Sequence, residues 1–330
     1  AVLSVNFRGP MLPRISAMMA ASELSRVQSL SRTIGAGDVA VEVGCWLGEA
    51  TKRILTEHAG EVHLIDTFEW SRLHDARVPG VLELGADFSA LMMENLASYH
   101  PERLVLHKGD VVAFEPSLLR GQRVGLLLLD GPKDTDVIAS VLDRFRPHMA
   151  PTGAVLVNHA ISPFFVEIVD LMVRMIEAGL LRADERDLPG QKDTMFVFQI
   201  GTADAAPVSQ LPVETWLKVW DSSMGRALSD GSIGLLAPLV WLLKQGHADL
   251  AKQRAEQMLY APRLVSAWVE MQDDLAKHDA ISLSSLIEIE LALSQYGQRH
   301  QGPRLWRSAP DTTARDGPPR PGLRSWAESR

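Results

Sequence analysis

The chain has 330 residues, 33 Lys and Arg against 41 Asp and Glu, 46% hydrophobic residues and one cysteine. A single cysteine excludes an internal disulfide and a thiolate-rich zinc site, and a net charge of −8 argues against a broadly basic nucleic-acid surface. No apolar stretch approaches the ~18 residues of a membrane span, and no basic leader with an apolar run opens the sequence. A cytoplasmic, soluble protein with ample length for a core is expected.

Residues 13–34 are rich in Ala, Met, Leu and Ser. Met18, Met19, Leu24, Val27 and Leu30 recur at helical spacing, which predicts a helical segment within residues 1–34. Gly35-Ala36-Gly37-Asp38 ends it. From 35 to 201, short apolar runs alternate with helix-length amphipathic ones. The runs 39–43, 62–65, 104–106, 124–129, 154–157 and 195–200 are continuous and bounded by Gly, Asp or Pro, the pattern of strands buried on both faces. Helices are predicted over 49–58, 87–99, 135–149 and 163–178. Such alternation predicts an α/β fold, a doubly wound and mostly parallel sheet with helices on both faces and right-handed crossovers.

Residues 202–212 read as a linker. Beyond them, 213–301 carries helical patterns over 213–228, 233–245, 248–259, 265–277 and 282–296, with turns at Gly246-His247 and Ala261-Pro262 and no fixed-period repeat. An all-α C-terminal region is expected, with Trp216, Trp220, Trp241 and Trp268 in its core. It would serve as a homodimer surface or as a cover for the cleft. Residues 302–330 hold five prolines and little aliphatic content, which predicts a disordered tail.

The first strand leads into Gly44-Cys45-Trp46-Leu47-Gly48 and a helix opening at Glu49. Glycine lets a backbone approach a ligand, and a helix start offers free N–H groups. The spacing is Gly-x-x-x-Gly, not the Gly-x-Gly-x-x-Gly of dinucleotide sites, which disfavours a dehydrogenase. The second strand ends in Asp66, 18 residues after Gly48. An acid there accepts both hydroxyls of a ribose, so the pair of features points to a ribose-containing ligand.

These residues carry a resemblance. Val41-Glu42-Val43-Gly44-Cys45-Trp46-Leu47-Gly48-Glu49-Ala50-Thr51 resembles the first motif of class I S-adenosylmethionine-dependent methyltransferases, and His63-Leu64-Ile65-Asp66-Thr67-Phe68-Glu69 their second. Lys108-Gly109-Asp110-Val111 resembles their adenine loop, 126–134 their fourth-strand motif, and Pro151-Thr152-Gly153 with the strand after it their turn into the fifth. The nearest subgroup is bacterial, with Asp-Thr-Phe-Glu after the second strand and Leu-Asp-Gly after the fourth. The resemblance spans residues 35–201 and implies a Rossmann-like seven-stranded sheet with S-adenosyl-L-methionine as cofactor. By resemblance, Glu42 lies near the cofactor's amino group, and Gly44 and Gly48 let the backbone pass close to it. Asp66 takes the ribose hydroxyls, Asp110 accepts from the adenine amino group, and Val111 stacks nearby.

The fourth strand ends in Asp130-Gly131-Pro132-Lys133, partly resembling catechol- and caffeoyl-CoA-type O-methyltransferases. In those enzymes acids at the ends of the fourth and fifth strands hold a divalent cation that acidifies a hydroxyl, and the lysine takes the proton. Here Asp130 and Lys133 match, but the fifth strand ends in Asn158-His159 where that family has Asp-Asn. Two routes are open. Asp130 and Asn158 ligate Mg2+, or His159 or Lys133 takes the proton without a metal. The lone carboxylate favours the second. The implied reaction is O-methylation of a hydroxyl on a small molecule or sugar. N-methylation, and an inactive cofactor-binding module with a helical interaction surface, are the alternatives. Neither nucleic acid nor membrane is expected as a partner. Trp46 and Trp70 either flank the cleft or pack the core.

Overall fold

The computed structural model describes residues 19–184, 194–203, 206–229, 232–258, 262–278 and 281–300. Residues 1–18 of the N-terminal segment and the tail over 302–330 lie outside them. Strands β1 (Val39–Val43), β2 (Val62–Asp66), β3 (Leu104–Lys108), β4 (Val124–Leu129), β5 (Met149–Val157), β6 (Leu181–Ala183) and β7 (Phe196–Ile200) form one sheet. The order is β3-β2-β1-β4-β5-β7-β6. The first five strands are parallel, and β7 runs antiparallel to both β5 and β6. Every residue of β1 and β4 is buried, as their unbroken apolar runs require of strands covered on both faces.

Alternate residues of these strands feed two separate cores. Ala40, Leu64, Leu126 and Leu128 pack with α1 (Ala21–Ser31), α2 (Glu49–Glu57) and α4 (Ser89–Asn95). Val41, Val43, Leu127 and Leu129 pack toward α5 (Thr135–Phe145) and α6 (Val166–Glu177). That second core runs on without a break into α7 (Val213–Ser222), α8 (Ala237–Lys244), α9 (Ala248–Gln257), α10 (Pro262–His278) and α11 (Leu283–His300). The helical region is therefore layered on α6, on the face of the sheet opposite α1.

Several element boundaries differ from the sequence expectation. The helix expected to reach 149 stops at Phe145, because Pro147 cannot continue it, and Met149 already belongs to β5. The helix expected over 213–228 ends at Ser222, shortly before Gly225. The segment 87–99 keeps only α4 as helix. A short helix α3 (Arg72–Arg77), capped by Ser71, precedes it and carries no apolar period that would reveal it. Strand β6 has three residues, too few to show any period.

One acid joins the two halves. Asp170 on α6 accepts through Oδ1 from Trp216 Nε1 (2.9 Å) and Trp241 Nε1 (3.0 Å), and through Oδ2 from Arg174 Nε (2.8 Å). The two indoles stack with centroids 4.1 Å apart. Asp170→Ala leaves two indole donors in a buried seam without their acceptor, and should cost about 2–4 kcal/mol. Asp170→Asn keeps one acceptor oxygen and should lose less. Urea denaturation of both variants reads the difference, and equal stability for Asp170→Ala and wild type would refute the role.

Candidate active site

The sheet changes winding direction between β1 and β4, and open α/β sheets bind ligands beyond the carboxyl ends of strands at such a point. Gly44 follows β1, and Asp130 and Gly131 follow β4. The backbone N–H groups of Asp130 and Gly131 both donate to the Val43 carbonyl, at 3.0 and 2.8 Å. Gly44 has φ +80°, and a Cβ there would lie 2.3 Å from the Gly131 backbone. The glycine expected to admit a ligand thus first lets two chain segments cross. Gly48, at φ +86°, precedes α2, which has no side-chain cap on its N-terminus.

Asp66 closes the turn from the next strand. Its Oδ2 accepts from Cys45 N–H (2.9 Å) and its Oδ1 from Phe68 N–H (2.9 Å). Cys45 Sγ also lies 3.6 Å from Oδ2 as a second donor, and a carboxylate has about four acceptor positions, so Oδ1 is the oxygen that retains one for a ligand. Glu42, in the middle of this edge, is 1% exposed and accepts from Thr51 Oγ1 at 2.7 Å. Burial, with Asp130 and Asp66 nearby, raises its pKa to about 8, and the Thr51 bond only partly opposes this. Because the folded pKa lies above the unfolded one, the stabilisation is present at low pH and is lost as pH rises through about 8. Glu42→Gln should abolish that loss. Urea titrations on both sides of pH 8 compare the two proteins, and parallel pH profiles would show that Glu42 is not the group responsible.

Trp46 and Trp70 are both buried and stack at 5.5 Å, with His74 4.4 Å from the Trp46 ring. With Phe88 they pack into the core on the α1 side rather than forming an open cage. Asp110 is exposed beyond β3, and its Oδ1 caps the following turn through Val112 N–H (2.9 Å). Val111 is turned into the core on the α5 side.

At the far end of the site, Asp130, Lys133, Asn158 and His159 lie at the ends of the neighbouring strands β4 and β5. Lys133 Nζ donates to the Asp130 carbonyl at 2.5 Å and lies 3.7 Å from its Oδ1. Burial lowers the Lys133 pKa, and Asp130 partly restores it. Asn158 donates through Nδ2 to Asp130 Oδ1, and its Oδ1 accepts from His159 N–H at 2.9 Å. Since a backbone N–H only donates, that second bond settles which way the amide points. Asn158 therefore turns its nitrogen, not its oxygen, toward the carboxylate. These residues do not fit a divalent cation as they stand. One carboxylate is present, the amide oxygen faces away, and no cluster of three or more His, Cys, Asp or Glu suited to a metal occurs among the described residues.

His159 is partly buried, with φ +64° and its ring stacked 4.4 Å from Phe165. Burial, and then Lys133, push its pKa well below the ordinary histidine range, so it is neutral. Sequence reasoning missed two residues beside it. Glu23 on α1 is 5% exposed, and Thr194, just before β7, lies between it and His159. The available signal was an acid at position i−4 from Val27 and i−7 from Leu30, on the apolar face of its helix.

No family model matches the sequence, and no curated protein does. Solved structures do show similarity to the chain. The calicheamicin methyltransferase CalS11 is 17% identical with a TM-score of 0.42, over 55% of this chain and 78% of that one. The O-methyltransferase NovP is 17% identical with a TM-score of 0.41, over 56% and 82%. The O-methyltransferase TomG of Streptomyces achromogenes, in complex with SAM, is 14% identical with a TM-score of 0.43, over 58% and 83%. Likeness this distant carries no argument about what the present chain acts on.

Proposed function

We propose that this chain is an S-adenosylmethionine-dependent methyltransferase acting on a hydroxyl of a small molecule or sugar. One observation supports it above the others. The residues of the sequence resemblance, scattered from Glu42 to His159, gather along one edge of the sheet around its switch point. The cofactor fits the residues present: Asp66 Oδ1 retains an acceptor position for a ribose hydroxyl, Glu42 is a buried acid bonded to Thr51 of α2, and α2 presents an uncapped N-terminus. When bound, S-adenosylmethionine supplies an electrophilic methyl group.

The chain's own work is positioning and proton removal. His159 is neutral and accepts a proton, whereas Lys133 is tied to the Asp130 carbonyl. The lone pair that takes the hydroxyl proton is on the ring nitrogen not engaged by Thr194, namely Nε2. That atom is shielded from solvent, so an acceptor reaches it only by displacing its cover. Water is thereby kept from competing for the base.

Isothermal titration with S-adenosylmethionine and with NAD, followed by a methyl-release assay on hydroxylated compounds, tests the reading. Asp66→Ala should weaken S-adenosylmethionine about tenfold or more, because charge-assisted hydrogen bonds are each worth roughly 1.5–3 kcal/mol. Unchanged affinity in a folded variant, or binding of NAD in place of S-adenosylmethionine, would overturn it.

A further inference from the structure

We infer that Glu23 and Thr194 are positioning residues that hold His159 in the one tautomer able to take a proton through Nε2; the inference rests on the role proposed above for His159. The residues come from outside and from the last part of the segment that carries the family resemblance, and they meet only in three dimensions. Helix α1 is fastened to the start of β7 at two points. Arg26 donates to the Met195 carbonyl (3.2 Å), and Glu23 Oε1 accepts from both the N–H and the Oγ1 of Thr194 (3.4 Å each). The other Glu23 oxygen accepts from Ala20 N–H at 2.8 Å. Two backbone N–H groups thus donate to Glu23, and as a carboxylate it acts only as an acceptor toward the Thr194 hydroxyl.

The direction of the next bond follows. A threonine hydroxyl has one proton, and here it is directed to Glu23. Toward His159 Nδ1, 3.3 Å away, the same oxygen presents lone pairs. Nδ1 must therefore be the donor. A neutral imidazole has one N–H, so Nε2 holds the lone pair. The ring has little freedom to turn away from this arrangement. Phe165 stacks on its face, Asn158 accepts from its backbone N–H, and Ser162 N–H donates to its carbonyl at 3.0 Å. The left-handed backbone of His159 is a conformation that non-glycine residues adopt where surrounding contacts impose it.

The tautomer is readable directly, without cofactor or acceptor, from the nitrogen shifts of 15N-histidine-labelled full-length protein. The His159 signals are assigned by their loss in His159→Ala. Wild type should show the Nδ1–H form. Thr194→Val, which keeps the shape and removes the hydroxyl, should lose it, and Thr194→Ser should restore it. Glu23→Ala should also lose it, since the hydroxyl proton is then free to face the ring. On any acceptor that the methyl-release panel yields, Thr194→Val should lower kcat about tenfold or more with KM unchanged. An Nε2–H form in wild type, an unchanged tautomer in Thr194→Val, or an unchanged tautomer in Glu23→Ala would overturn the inference. Failure of S-adenosylmethionine to bind is a separate result, seen by titration, and bears on the methyltransferase reading alone.

Discussion

His159→Ala is expected to lower kcat by about 10²-fold or more while leaving the affinity for S-adenosylmethionine unchanged. The ring lies at the end of β5, whereas the residues assigned to the cofactor lie on β1, β2 and the turns after β1 and β3, so the variant should separate chemistry from binding. The environment of the ring also sets the pH response. Burial and the nearby Lys133 hold its pKa well below 6.5, so the proton-accepting form persists into acid conditions where an exposed histidine is already charged. The kcat profile should therefore show no fall near pH 6.5, only one well below it. EDTA should leave turnover unchanged, because Asn158 is hydrogen-bonded to Asp130 in the place where a second ligand would sit. Turnover that collapses in EDTA and returns with Mg2+ would sink the metal-free route, as would full activity in His159→Ala.

Gly44→Ala should be the most damaging single-methyl change on the β1 side of the site, costing about 3–5 kcal/mol. Two effects add. The left-handed φ of +80° strains any residue with a Cβ, and the new methyl lies 2.3 Å from the Gly131 backbone, which no rotamer change relieves. Gly121→Ala isolates the first effect. It has φ +78° and nothing within 4 Å of the added carbon, so only the conformational part, roughly 1–2 kcal/mol, is expected. Denaturant titrations of the two variants measure the crossing itself. Equal losses would mean that β1 and β4 separate at no cost and that the Gly44–Gly131 crossing does not restrain the switch point.

Much of the α/β half is legible along the chain. The runs at 39–43 and 124–129 are so continuously apolar that only doubly covered strands accommodate them, and both are strands buried throughout. Asp66 is legible through its spacing from a glycine turn, and it does lie at the end of β2, bonded to that turn. Other features have no local signature. β6 is three residues long and is a strand only because β7 pairs with it. Nothing near Asp170 in sequence announces two indoles that arrive 46 and 71 positions later. The Asn158-His159 pair was readable as a departure from a metal site, but the direction of the amide depends on where the His159 N–H lies.

By itself the sequence determined the strand and helix alternation, the glycine turn, and the acids at the strand ends. Each of these depends on periodicity or turn chemistry within about a dozen residues. Only the tertiary structure decided that the helical region shares a core with α6, that Gly44 and Gly131 cross, and that Glu23 reaches Thr194 across 171 positions. Those contacts come from packing two faces of a sheet at once, and side chains far apart in the chain become neighbours only when both faces are filled.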